Sequence, residues 1–482
     1  MKLEQIKLSN YRSVESESID FKSINKSQTY CLLGINESGK SSILKGIALF
    51  ENLTPQYLDD FFDETEPVKT CLTYTPNIVY NRVLWSKLIK DFGFPKDIAT
   101  AIEVTSVDLV TKYEPIESTS KEYIEVLSFK NDKIKGYHLV DDKLEKIIKT
   151  EEEINPLDLH DFFKEKLPKF FWSFSHDINF WESSDQYLIL DEISLPDFAE
   201  NPSDVSIPLK NCFVLSGIQV EKIKIKIENL TSPSRIRNLE SLLSEKVTEH
   251  INTVWPEHPI EIRFEINNNK ISLLIEDVGV KHKAKTTNQR SDGFKQFISF
   301  LLTLSTERVN QDLPRKTIML LDEPETHLHP KAQINLMKEL IKLTTDMNHI
   351  VIYATHSNYM IDKVNLDRNF KVIKKKNETT KLERISKSNS SYSEINYTIF
   401  DIPTTDYHNE LYGFLEDIHP KKLNGINKDR NWVNEKSGKT ESVSLPKYIR
   451  NAIHHPENKS NRAYTQAQLK KSIGILRNLK YK

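Results

Sequence analysis

At 482 residues, of which 38% are hydrophobic and 28% charged, the chain is too long for one compact unit, so two or three domains with a large core are expected. The 67 Lys and Arg nearly balance the 69 Asp and Glu, but residues 420–482 carry 15 basic against 4 acidic side chains, which leaves a basic tail on an acidic body. Cys31, Cys71 and Cys212 show neither C-x-x-C spacing nor a nearby His partner, which argues against a disulfide framework or a zinc site; with no signal peptide and no long apolar run, a soluble cytoplasmic protein without a membrane partner is expected.

In chain order, the alternation of Leu3, Ile6 and Leu8, then of Val14, Ile19 and Phe21, predicts a hairpin, with Tyr11-Arg12-Ser13 between its arms. The apolar run 29–33 predicts a strand. In residues 41–50, Ile43/Ile47 and Leu44/Ala48 stand at helical i, i+4 spacing. Residues 51–140 mix strand-like runs, 101–110 and 123–129, with polar turns, as the rest of an antiparallel lobe would. Residues 141–256 read as a mostly helical lid: Ile236, Leu239, Leu243, Val247, Ile251 and Val254 follow a helical stripe that ends at Trp255-Pro256, without sustained heptads.

Ile260, Ile262, Phe264 and Ile266, then Asn267-Asn268-Asn269-Lys270, then the run 271–275 predict a β-hairpin that returns the chain to its first domain. Two apolar strands, 318–321 and 350–354, flank a helical stretch at 331–347, which implies a parallel sheet. Polar residues 374–395 read as a linker and 396–482 as helices with loops. The expected organisation is therefore an N-terminal lobe (1–140), a lid (141–256), a C-terminal lobe (257–373), a linker (374–395) and a basic helical domain (396–482).

The stretch Gly34-Ile35-Asn36-Glu37-Ser38-Gly39-Lys40-Ser41 has G-x-x-x-x-G-K-S spacing between the first apolar strand and a helix N-terminus. Unpaired N–H groups and the helix dipole favour phosphate there; Gly34 and Gly39 allow close backbone approach, Lys40 can reach the β/γ-phosphates, and the Ser41 hydroxyl can ligate Mg²⁺. The candidate nucleotide set is Gly34, Asn36, Gly39, Lys40, Ser41 and Ser42. At the end of the second apolar strand, Asp322 can hold the Mg²⁺ hydration shell and Glu323 can act as general base on an attacking water. His356, in Thr355-His356-Ser357 after the third strand, can contact the γ-phosphate or that water. Arg290-Ser291-Asp292-Gly293 precedes an amphipathic segment as a helix start, so Ser291 and Gly293 can form a second anion site.

In this order the four motifs resemble ABC-type ATPases, and Gly34-Ile35-Asn36-Glu37-Ser38-Gly39-Lys40-Ser41 together with Leu321-Asp322-Glu323-Pro324-Glu325-Thr326-His327-Leu328-His329-Pro330 is similar to the RecF/SMC/OLD branch. The resemblance covers roughly residues 1–370 apart from the lid. It implies an α/β ABC/RecF-like ATPase head with an inserted helical lid and a C-terminal α-helical domain, ATP and Mg²⁺ as ligands, and a homodimer or higher oligomer. In that homodimer Ser291 and Gly293 of one subunit would cap the nucleotide held by Gly34, Lys40 and Ser41 of the other. Asp292 and Lys295 depart from the Gly and Gln-type residues of many transporters, and no Q-loop glutamine is placed.

In the basic tail, Arg450-Asn451-Ala452-Ile453-His454-His455 sets an Arg and a His on a short predicted helix, an arrangement that suits metal-free RNA cleavage through the 2′-OH, and one in which the histidines could equally cap the helix. The spacing of Arg450 and His455 resembles that of HEPN-type ribonucleases. The whole arrangement resembles the ATPase subunit of Septu-type antiphage systems, which implies a regulator of a separate HNH-type nuclease acting on DNA or RNA. The alternative is a DNA-repair or chromosome-associated ATPase of the same head type, whose tail binds only nucleic acid or a partner.

Overall fold

Residues Thr29–Leu33 are buried throughout and form a strand in the middle of a six-stranded sheet. The computed structural model describes the chain except residues 52, 57, 116–119, 131–132, 135, 148–156, 183–186, 255–258, 280–283, 291–294, 296–297, 300, 303–315, 327, 347–348, 386–390 and 482. It divides into two units, Met1–Asp362 with Arg368–Glu383, and Lys363–Asp367 with Arg384–Lys482.

In the first unit the strand order is Asp177–Trp181, Thr317–Asp322, Ile350–Thr355, Thr29–Leu33, Asn369–Lys374 and Thr380–Arg384. The first five are paired in parallel. Such a sheet is covered on both faces, which is why its central strands are continuous apolar runs rather than alternating ones. The helix Lys40–Ala48 lies between this sheet and an antiparallel sheet ordered Val14–Asp20, Lys2–Tyr11, Val68–Thr75, Val104–Tyr113, Ser120–Phe129. Its Ile43, Leu44 and Ile47 are almost fully buried between the two layers, each worth about 1.5–3 kcal/mol of apolar burial. The fold is thus α/β.

Two expectations need correction. The polar stretch 374–395 is not wholly a linker, because Thr380–Arg384 is the edge strand of the central sheet. Thr380 is buried there for its hydroxyl, which bonds to other loops, so its polarity hid its place. The segment 141–256 is not a self-contained lid either: Asp177–Trp181 lies at the other edge of the central sheet, paired with Thr317–Asp322. Its Ile178, Phe180 and Trp181 are buried. Helices do dominate the rest of that segment, ending in Pro233–Val254.

That long helix does more than bury Leu239, Leu243, Val247 and Ile251. Its side chains at four-residue intervals accept hydrogen bonds from alternate backbone N–H groups of the strand Ile260–Asn267. The pairs are Glu240 with Ile266 (2.6 Å), Ser244 with Phe264 (3.0 Å), Thr248 with Ile262 (2.9 Å) and Asn252 with Ile260 (2.9 Å). Thr248 and Asn252 also donate back to the carbonyls of Ile262 and Ile260. Four helical residues rise about 6.0 Å and two strand residues about 6.8 Å, so the two periods stay in step for three turns. The helix therefore satisfies an edge that would otherwise present open backbone groups.

The second unit packs the helices Tyr392–Phe400, Thr405–Ile418, Leu445–His454 and Gln466–Tyr481 around Tyr407, Leu411, Leu415, Ile449, Ile473 and Leu476. It also contains a hairpin, Arg430–Val433 with Thr440–Val443, which the helical reading of this region did not foresee. Trp432 and Val443 form a small core with Tyr448. The three cysteines are buried and unpaired. Among the described residues no helix is long and apolar enough to cross a membrane, and no cluster of His, Cys, Asp and Glu has metal-binding geometry.

Candidate nucleotide site

The site is built where the strand Thr29–Leu33 turns into the helix Lys40–Ala48. Gly39, the residue before the helix, has φ +100°, which an L side chain rarely adopts, and a Cβ there would overlap the Thr380 hydroxyl. A Cβ at Gly34 would overlap the Ser38 side chain and come within 2.7 Å of the Val372 carbonyl. The loop thus wraps closely against the adjoining strands, leaving the first N–H groups of the helix for a ligand.

Thr380 pins this loop from outside. Its hydroxyl lies 2.8 Å from that of Ser13 and 3.2 Å from the Ser38 carbonyl, and its N–H donates to the Ser13 carbonyl at 2.7 Å. Lys40 Nζ donates to the carbonyls of Gly34 (2.9 Å) and Ile35 (3.0 Å) and stands 4.0 Å from Glu323 Oε1. Burial lowers the Lys40 pKa, opposed by the charges of Glu323, Asp322 and Glu325.

Asp322 ends the strand Thr317–Asp322, which lies beyond Ile350–Thr355 from the loop strand, with its carboxylate toward the Ser41 hydroxyl, which bonds to it. Burial raises the Asp322 pKa, and the Ser41 bond opposes the rise. Its Oδ1 is buried with no hydrogen-bond partner among the described residues. An anionic oxygen withheld from water without a partner is costly. Placed beside a hydroxyl, it fits a hydrated Mg²⁺, which would neutralise phosphate charge there.

Glu323 has φ +50°, a left-handed backbone that costs a non-glycine residue about 1–2 kcal/mol. Its N–H donates to the Ala354 carbonyl at 3.0 Å, and its carbonyl accepts from both Thr326 Oγ1 at 2.8 Å and the Thr326 N–H at 3.1 Å. The turn carries the Glu323 carboxylate away from Asp322, to within 3.1 Å of His356 Nδ1. Both side chains are partly exposed, so water can reach the pair.

One residue of this region had no role in the sequence reading. Glu325 is 1% exposed. The Thr355 hydroxyl donates to its Oε1, while Oε2 has no partner among the described residues. Burial pushes the Glu325 carboxyl up to about 7, opposed by the Thr355 bond. Thr355 Oγ1 in turn accepts from the Ser357 N–H (2.9 Å), and Ser357 Oγ donates to Gln333 Oε1 (2.5 Å). This chain ties the turn after Asp322-Glu323 to the turn carrying His356. Its only sequence trace was a second glutamate two positions beyond Glu323.

A cavity of about 230 Å³ lies over the loop, lined by Asn36, Gly39, Lys40, Ser41, Ser42 and Glu323, and also by Ser13 and Lys374, which sequence spacing could not place there. A larger hollow of about 400 Å³ on the outer face of the antiparallel sheet, lined in part by Lys7, Glu15, Lys69 and Glu125, shares none of these residues. Ser291 and Gly293 lie outside the described residues. Arg450 and His455 belong to the second unit and have separate partners. Arg450 sits over the Tyr412 ring and 3.3 Å from Glu416, whereas His455 faces Glu457 at 3.3 Å and the Trp432 ring.

An uncharacterized protein of Methanocaldococcus jannaschii is 30% identical over 133 residues, which is 26% of this chain and 33% of that protein, so the match spans about a third of that relative. Among solved structures, an Smc head bound to the C-winged helix domain of ScpA covers 80% of this chain and 99% of its own, at 14% identity and TM-score 0.44. The SMC head domain from Thermotoga maritima covers 80% of this chain and 100% of its own, at 13% identity and TM-score 0.38. The family described as AAA ATPase domain matches residues 1–166 and 215–361, most of the chain and all the motifs of the central sheet. The chain belongs to the AAA ATPase domain family.

Proposed function

We propose that the chain is an ATP hydrolase of RecF/SMC-like type in which Ser41 and Asp322 hold Mg²⁺, Glu323 activates water and His356 orients Glu323. The contact of His356 Nδ1 with Glu323 Oε1 supports this reading most strongly, because it places a proton-handling pair beside Lys40 and the loop. ATP binding and turnover by Lys40→Ala and Asp322→Asn variants test it: loss of both with Lys40→Ala, and loss of turnover with Asp322→Asn, are expected. Wild-type turnover by Asp322→Asn contradicts the metal assignment.

In this reading two heads sandwich ATP, Ser291 and Gly293 of one chain completing the site of the other, and nucleotide occupancy controls a nuclease in a Septu-like antiphage complex. The motif resemblance over residues 34–41 and 321–330 supports this, as does the separately folded basic C-terminal unit. Phage plating on cells carrying the chain with its genomic neighbours is the test. Protection lost with Lys40→Ala supports a defence role; protection indifferent to it favours a repair or chromosome ATPase.

We assign the C-terminal unit to nucleic-acid binding. Ribonuclease action by Arg450 and His455 asks more of the structure, since the two side chains have different partners within one chain. Intact RNA in cells expressing wild-type protein, equal to cells expressing an Arg450→Ala/His455→Ala variant, would remove the cleavage reading.

A further inference from the structure

The second unit contains a cavity of about 580 Å³ between Trp432 and the loop 455–464, within the roughly 300–1,000 Å³ of small-ligand sites. Two features make it a built site. The loop is held to the hairpin by hydrogen bonds that a mere connection does not need. Asn458 Nδ2 and Asn461 Nδ2 both donate to the Val433 carbonyl (2.9 and 2.8 Å), Asn461 Oδ1 accepts from the Val433 N–H (2.8 Å), and Tyr448 Oη donates to the Arg462 carbonyl (2.6 Å). The floor is rigid as well, with Trp432 buried and packed edge-on against Tyr448 at 5.5 Å between ring centres.

The lining combines aromatic and cationic groups. The half-buried Tyr464 supplies ring surface over the buried Trp432 floor, and Lys459 and Arg462 are exposed cations with no carboxylate partner among the described residues. Four other basic residues of this unit are neutralised by carboxylates instead: Arg477 by Glu394, Lys470 by Asp401, Lys447 by Glu441 and Arg450 by Glu416. Rings beside unneutralised cations suit a ligand with a flat base and a phosphate.

We propose that this cavity binds one nucleotide unit of a single-stranded nucleic acid, its base against Trp432 and Tyr464 and its phosphates on Lys459 and Arg462. A duplex base stays stacked on its neighbours and cannot enter a cavity of this size, so the site selects unpaired strands. The proposal rests on the assignment of this unit to nucleic-acid binding and gives that binding a location.

The test uses full-length protein carrying Lys40→Ala, so that the head site does not compete, and a fluorescent twelve-nucleotide uridine strand, the matching thymidine strand, a duplex and uridine monophosphate. Lys459→Ala/Arg462→Ala should weaken strand binding about ten-fold or more and reduce the slope of log affinity against log salt by about 1.4. Lys470→Ala/Lys471→Ala, which removes equal charge elsewhere, should change affinity less than about three-fold. A 4-thiouridine strand should cross-link to the peptide containing Tyr464 or to that containing Trp432. Preference for the uridine or the thymidine strand identifies the source as RNA or DNA and keeps the proposal; competition by the monophosphate at equal affinity, or duplex bound as tightly as the strand, overturns the single-strand assignment. Equal losses from the two double variants, or cross-links elsewhere, overturn the cavity as the site while leaving nucleic-acid binding by the unit intact. Absence of any strand binding by the parent protein overturns both.

Discussion

His356 Nδ1 stands 3.1 Å from Glu323 Oε1, and the two residues reach each other from the ends of adjacent parallel strands. The contact needs the left-handed backbone at Glu323, since an extended residue there would not turn its carboxylate away from Asp322. His356→Ala should lower kcat by about 10–100-fold with KM changed by less than about three-fold, as expected where a residue acts on the transition state through its neighbour. A KM rise with unchanged kcat would make His356 a substrate-binding group instead.

Thr380 and Gly39 form a second testable pair. Gly39→Ala introduces strain at φ +100° and an overlap with the Thr380 hydroxyl, and ATP affinity should fall more than about ten-fold. Thr380→Ala alone removes the bridge to Ser13 and the Ser38 carbonyl, at about 1 kcal/mol or roughly five-fold in affinity. Combining the two should cost less than the sum, measured by isothermal titration, because the smaller side chain makes room for the new methyl. Additive losses would show that the overlap is relieved in another way.

Glu325 makes a pH prediction. Its folded pKa of about 7 is raised by burial above the unfolded carboxylate value. Between pH 4.5 and 7 the folded state therefore binds more protons than the unfolded state, and this group's contribution is full at low pH and lost as pH rises through that window. The titratable groups that feel its charge include Lys40, Glu323, His356, and the buried, neutral Cys31 thiol and Tyr353 hydroxyl. Glu325→Gln keeps an acceptor for Thr355 and should flatten the stability–pH curve between pH 5 and 7.5 in thermal melts. An unchanged slope would show that Glu325 is ionised throughout.

The helix ladder at Glu240, Ser244, Thr248 and Asn252 should carry stability. Replacing Thr248 with Val leaves the Ile262 N–H without its partner and should cost about 1–3 kcal/mol in urea unfolding. A change below about 0.5 kcal/mol would mean that water replaces the hydroxyl.

What the sequence made legible follows from period and spacing. The loop, the helix Lys40–Ala48 and the apolar strands carrying Asp322 and His356 are continuous or strictly spaced, so burial and chemistry leave a direct imprint. Hidden were places where polar residues do internal work. The ladder residues Glu240 and Thr248 look like the solvated face of an amphipathic helix, and Thr380 looks like linker, yet each is aimed at backbone groups. Trp432 sits on a four-residue strand within otherwise helical sequence, too short for alternation to reveal. Glu325 was concealed by its nearness to Glu323, and only burial separates the two carboxylates.

The central claim is that Glu323 activates water at a site whose loop and metal ligands bind ATP without it. The most direct measurement is ATP binding and hydrolysis by Glu323→Gln under single-turnover conditions with Mg²⁺. The account predicts hydrolysis reduced by about 10²–10⁴-fold, the range for loss of a general base, with ATP retained at near wild-type affinity. Hydrolysis at the wild-type rate would contradict it.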